Sequence, residues 1–119
     1  MSVRRLSAAL SVAAVLIGAS ASSVLAGGAH TQSTSVKVTA SEFKFVLSTK
    51  TAKAGSVSFV VTNKGKLSHD FKIAGKKTAR LKPGKSATLT VTLKKGSNAY
   101  MCTVPGHAAA GMKGTFKAT

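Results

Sequence analysis

The reactive side chains of this sequence gather in one short segment, Tyr100-Met101-Cys102-Thr103-Val104-Pro105-Gly106-His107-Ala108-Ala109-Ala110-Gly111-Met112-Lys113-Gly114. It spaces a thiol, an imidazole and a thioether as C-x4-H-x4-M. A second imidazole, His69, stands far upstream in Leu67-Ser68-His69-Asp70-Phe71. Each residue alone has a plainer use. A free Cys is often a small core hydrophobe, a His close to Phe71 suits a structural role, and Met112 could simply pack. Together they form a donor set. Two His and one Cys in a trigonal arrangement, with a weak axial Met, is the pattern that holds copper for electron transfer. The thiolate is soft and binds copper in both oxidation states, and imidazole tolerates either. The thioether tunes the potential without forcing a square plane, so little rearranges when an electron arrives.

Competing chemistries fit less well. One Cys, two His and an open position also describe a catalytic zinc site. A zinc hydrolase wants a general base, however; the chain's two acids are Glu42 and Asp70, and Met112 fills the open position. For nucleophilic catalysis by Cys102 with His107, the spacing suits ligation better, and so short a domain offers no evident substrate pocket. A dinuclear copper centre would need a second Cys, and the chain has one. His30 lies in a polar stretch and reads as a bystander. Met101 alternates with Cys102 and is expected in the core.

The elements that must position these residues read as short strands. Val36 and Val38 alternate with polar residues, and Phe43, Phe45 and Leu47 fall on one face of the next run. Val57, Phe59 and Val61 follow, then Phe71 and Ile73, then Leu89, Val91 and Leu93 between threonines. Tyr100, Cys102 and Val104 share a face, and Thr115-Phe116-Lys117 closes the series. A period of two rich in β-branched residues marks half-buried strands. Between them stand Ala54-Gly55, Asn63-Lys64-Gly65, Ala74-Gly75, Lys82-Pro83-Gly84 and Lys95-Gly96, which carry turn chemistry. Seven or so strands at near-regular spacing predict a single all-β sandwich. Cys102 then ends a strand, while Pro105-Gly106 and Gly111 let the loop beyond it curl.

The chain of 119 residues opens like an export signal. Arg4-Arg5 precede an apolar stretch from Ala8 to Ile17, small residues follow, and Val24-Leu25-Ala26 suits a leader peptidase. Residues 1–26 are thus expected to be a signal peptide, 27–35 a flexible linker, and 36–119 the functional domain. Gly18, Ser20, Ser22 and Ser23 interrupt the apolar part, which makes a poor membrane span of about 20 residues. The expected destination is the periplasm or another site in or beyond the cell envelope. A domain this small buries only about 60% of its unfolded surface and gains from a metal. An unpaired Cys in an exported protein needs a reason, and ligation supplies one. The net charge is +16, with lysines scattered or paired and aromatics only 5% of the chain, which argues against nucleic acid. The field instead suits an acidic protein partner or a weak attraction to an anionic membrane surface.

The 102–114 segment resembles the C-terminal ligand loop of the cupredoxins, the blue copper proteins that include plastocyanin, azurin, rusticyanin and the auracyanins. Val61-Thr62-Asn63-Lys64-Gly65 through His69-Asp70-Phe71 is similar to the family's first-histidine region. The resemblance implies a Greek-key β-sandwich of seven to eight strands with one type 1 copper ion held by His69, Cys102, His107 and Met112. It implies a monomeric electron carrier rather than an enzyme, serving redox proteins of the cell envelope with acidic docking surfaces. His107 would be the electron port, ringed by Leu67, Pro105, Ala108, Ala109 and Ala110 with Lys66 and Lys113 at the rim. One position departs from many members, where Asn follows the first His. Here it is Asp70, whose backbone N–H is expected to reach the Cys102 sulfur, whose side chain is expected to accept from the Thr103 hydroxyl, and whose charge should favour the oxidised ion. Copper delivery or storage, or an accessory copper domain of an envelope redox complex, would use the same ligands.

Overall fold

The computed structural model describes residues 33–119. The expected leader (1–26) lies outside the described residues, as does the linker up to residue 32. Among the described residues nine strands form in chain order: β1 Thr34–Ser41, β2 Lys44–Leu47, β3 Thr51–Ala52, β4 Gly55–Asn63, β5 Lys72–Ile73, β6 Lys76–Lys77, β7 Ser86–Leu93, β8 Gly96–Met101 and β9 Lys113–Ala118. They build two sheets, ordered β2-β1-β4-β7 and β3-β9-β8-β5-β6. The chain forms the Greek-key sandwich that its alternation and its resemblance imply. The strand number exceeds seven to eight because β3, β5 and β6 are two-residue pieces, too short to show a period. β1 also starts two residues before the expected domain edge at Val36, because Thr34 and Ser35 pair in parallel with Val57 and Ser58.

Alternation explains which residues meet. Val36 and Val38 of β1, Val57, Phe59 and Val61 of β4, and Val91 and Leu93 of β7 point inward from the first sheet. Ile73, Tyr100, Phe116 and Ala118 answer them from the second, with Phe71 and Leu81 between. Aromatic rings knit the sheets together. Phe59 packs on Phe71 at 5.2 Å and on Phe116 at 5.3 Å, and Phe71 packs on Tyr100 at 5.5 Å. Such pairs add about 0.5–1.5 kcal/mol each beyond the area they bury. A smaller cluster of Ala40, Cys102 and Met112, flanked by Phe45 and Val104, sits at one end of the sandwich. That end carries the chemistry.

Two expectations about side-chain direction need correction. Met101 is not core: it is the last residue of β8, and since Tyr100 and Cys102 face inward the pleat turns it out, 38% exposed. Phe43 does not share the buried face of Phe45 and Leu47. It precedes β2 in the turn after β1, is 39% exposed, and lays its edge against His107 with ring centroids 5.1 Å apart.

Candidate metal centre

Three segments converge at this end, each held by backbone bonds that need no metal. The first carries His69. Phe71, two residues on, is fully buried in the core, which anchors the segment. His69 and Leu81 exchange both backbone bonds, at 3.0 and 2.7 Å. The buried Asn63 side chain donates to the Leu67 and Leu81 carbonyls, each at 2.8 Å, and accepts from the Gly65 N–H at 2.9 Å. The preceding loop is thereby tied to the end of β4.

The second and third segments form one loop. Cys102 follows β8 directly, and its N–H donates to the Met112 carbonyl at 3.0 Å. Between them the chain winds tightly: the His107 N–H donates to the Val104 carbonyl at 3.0 Å, and the Met112 N–H to the His107 carbonyl at 3.1 Å. Gly106 (φ 83°) and Gly111 (φ 113°) take backbone conformations that disfavour other residues, and so allow the winding. The Pro-Gly and Gly positions in the sequence serve this purpose.

The result is a buried donor cluster. His69 Nδ1 and His107 Nδ1 lie 3.1 Å apart, and His107 Nδ1 lies 3.6 Å from Cys102 Sγ. The donor atoms of all three residues fall within 4.8 Å of one another. The Nδ1–Nδ1 separation is less than two metal–imidazole bonds of about 2.0 Å, so one ion can bridge both rings. Met112, wholly buried, packs against Cys102 and Ala40. Two imidazoles and a thiol gathered out of solvent, with the Met112 side chain packed beside Cys102, fit a soft metal better than a hard cation.

The surroundings act on these donors. The Asp70 N–H donates to Cys102 Sγ at 3.5 Å. The Asp70 side chain accepts from the Thr103 N–H at 2.6 Å and from the Thr103 hydroxyl, joining the two ligand segments. Burial pushes the Cys102 thiol above its ordinary 9.0, with the Asp70 N–H pulling the other way. Burial, then the neighbouring His69, holds the His107 imidazole below its ordinary 6.5. Metal-free at neutral pH, the thiol is protonated and His107 is neutral.

Sequence reasoning missed two contributors. Glu42 figured only as one of two acids, yet its Oε1 accepts from the Lys66 and Leu67 N–H groups, both at 2.7 Å, and lies 3.2 Å from His69 Nε2. The Leu67 N–H, foremost, holds its carboxyl down at about 2. The available signal was its scarcity: a +16 chain places both of its acids at one site. Phe43, beside it, covers the His107 ring. Of the expected surface patch, Leu67, Pro105, Ala109, Ala110, Lys66 and Lys113 are exposed and Ala108 half-buried, while His107 itself shows only 8% of its surface.

A family model of the Cupredoxin-like domain matches residues 7–115. The chain belongs to this family. Solved structures share the fold of this cupredoxin at low identity. Dithionite-reduced auracyanin from the photosynthetic bacterium Roseiflexus castenholzii matches with TM-score 0.65 and 22% identity, over 73% of this chain and 98% of that one. Auracyanin B matches with TM-score 0.62 and 23% identity, over 72% and 88%. A multicopper oxidase matches with TM-score 0.56 and 17% identity, over 71% of this chain but 41% of the oxidase. A search of curated proteins returns no match. In this cupredoxin His69, Cys102 and His107 are positioned to bind one copper ion.

A pH dependence follows from the protonated thiol. Ligation requires the thiolate, so each copper ion bound releases one proton from Cys102. The apparent affinity of the copper-free protein for Cu(I) should rise about tenfold per pH unit from pH 7 and level off above the raised thiol pKa. Competition titrations against a chelator at several pH values measure this slope. A flat profile would mean that Cys102 is not a ligand.

Proposed function

We propose that this cupredoxin is an exported, monomeric, mononuclear copper protein that shuttles single electrons between redox partners of the cell envelope. The observation that carries the reading is the buried His69–Cys102–His107 cluster with Met112 packed beside Cys102, and with His107 alone of the four reaching the surface. Bound copper would supply a one-electron couple. The chain's own residues would do the rest: His69, Cys102 and His107 would hold the ion, with Met112 as a weak fourth partner. Backbone bonds that stand without the metal keep the donors in place, so the change of oxidation state moves little.

The same burial argues for carriage over delivery. His69, Cys102 and Met112 have no exposed surface, so a chaperone cannot reach the ion by ligand exchange unless the loop opens. The likeness to an oxidase covers under half of that protein. Among the described residues one group of His and Cys can hold a metal, and the chain's single thiol belongs to it. This favours a carrier rather than an enzyme.

The electron would pass at the edge of His107. The contact patch would take in Phe43, which packs against His107, together with Leu67 (47% exposed), Pro105 and Ala108 to Ala110, with Lys66 and Lys113 at its rim. Phe43 was absent from the expected patch and enlarges it. A small apolar contact ringed by cations suits a brief encounter with an acidic partner, in which charge governs the approach more than the affinity.

Adding cupric ion to the purified protein should produce an intense visible thiolate-to-copper absorption, lost in Cys102→Ala. A colourless complex would overturn the site type. Electron transfer to an acidic redox protein should slow roughly tenfold or more between low and physiological ionic strength, as steering by net charge requires. Stopped-flow mixing across a salt series tests it, and a rate independent of salt would refute acidic partners. Asp70→Asn should raise the reduction potential, because a negative charge beside the cluster favours the more positive, oxidised ion. Protein-film voltammetry showing an unchanged or lower potential would remove that role from Asp70.

A further inference from the structure

Glu42 stands in the turn between β1 and β2, yet its carboxylate reaches the loop that leads to the first histidine. Oε1 gathers three contacts: the N–H groups of Lys66 and Leu67 at 2.7 Å each, and His69 Nε2 at 3.2 Å. A carboxylate accepts and does not donate. In the neutral imidazole the pairing therefore places the ring proton of His69 on Nε2, and leaves Nδ1 as the lone pair. That lone pair is the one aimed at His107 Nδ1 and Cys102 Sγ. The opposite tautomer would put a proton where a metal must sit.

The seat of the carboxylate is shaped for it. Gly65 has no side chain to intrude, and a Cβ built there would lie 2.5 Å from Glu42 Oε1 and 2.7 Å from Oε2. Lys66 and Leu67 present consecutive N–H groups to a single oxygen, and that oxygen is also the one that meets His69. The ring is thus held from the side away from the metal by a group whose partners are all in place before any ion binds. Metal-ligating histidines commonly donate their second ring N–H to a carboxylate or carbonyl, which fixes the ring and raises its basicity.

We propose that Glu42 is a positioning residue of the copper site: it holds His69 in the Nε2–H form with Nδ1 facing the ion, and its charge stabilises the oxidised state. This rests on the copper reading of the cluster. Glu42→Gln keeps an oxygen able to accept all three bonds but removes the charge. Glu42→Ala removes both. Gly65→Ala leaves the carboxylate in the chain but displaces it from its seat.

The test uses the copper-loaded protein. In the reduced, nitrogen-15-labelled form, the His69 Nε2–H proton should resonate far downfield and exchange slowly in the wild type. It should stay protected but move upfield in Glu42→Gln, and vanish by exchange with water in Glu42→Ala and Gly65→Ala. Voltammetry on Glu42→Gln should show Cu(II) affinity falling about tenfold relative to Cu(I), a rise of about 59 mV for one electron. Copper affinity should fall about 10–100-fold in Glu42→Ala. Should Glu42→Ala fail to fold, the other two variants decide. A merely structural Glu42 would lower the melting temperature and leave the resonance and potential where they are, and that result overturns the proposal while sparing the copper site. A wild-type protein without thiolate-to-copper absorption would remove both.

Discussion

The central constraint on this molecule is that two imidazole nitrogens and a sulfur must share one small, dry space with nothing covalent to hold them together. His69 Nδ1 and His107 Nδ1 lie 3.1 Å apart, and the cost of ordering them there falls on the rest of the fold. The sandwich meets it through contacts made elsewhere. Phe71 locks the His69 segment into the aromatic core, Asn63 ties its loop to β4, and the 102–112 loop closes on itself through backbone bonds. A small β-domain with a single thiol thereby presents a preformed metal site, and metal binding returns part of that cost as stability.

Charge is distributed unevenly to the same end. Eighteen basic side chains spread over the sequence, while the two carboxylates both serve the cluster, from opposite sides. Asp70 bridges to Thr103 and offers its N–H to the sulfur. Glu42 takes the far nitrogen of His69. A cationic surface attracts partners over a distance set by screening, about 8–10 Å at physiological salt. Negative groups beside the donors act locally, and Asp70, which is buried, is screened far less. In the proposed carrier, long-range steering and local tuning of the couple could therefore be altered independently.

The sequence by itself determined the donor set and the class of fold. The spacing of Cys102, His107 and Met112, and the Pro and Gly between them, is a local pattern whose chemistry does not depend on what surrounds it. Alternation in β1, β4, β7 and β8 likewise needs only the pleat to sort inward from outward residues. What the tertiary structure alone decided are contacts between segments that no local period links. Glu42 lies 27 residues from His69, and it meets the ring only because β1 and β4 run side by side and bring their C-terminal ends together. Phe43 looked like one more strand residue until the turn carried it onto His107. Met101 was misplaced for a related reason: alternation fixed that it opposes Cys102, but which face of β8 meets water depends on the facing β2-β1-β4-β7 sheet, and that is a property of packing.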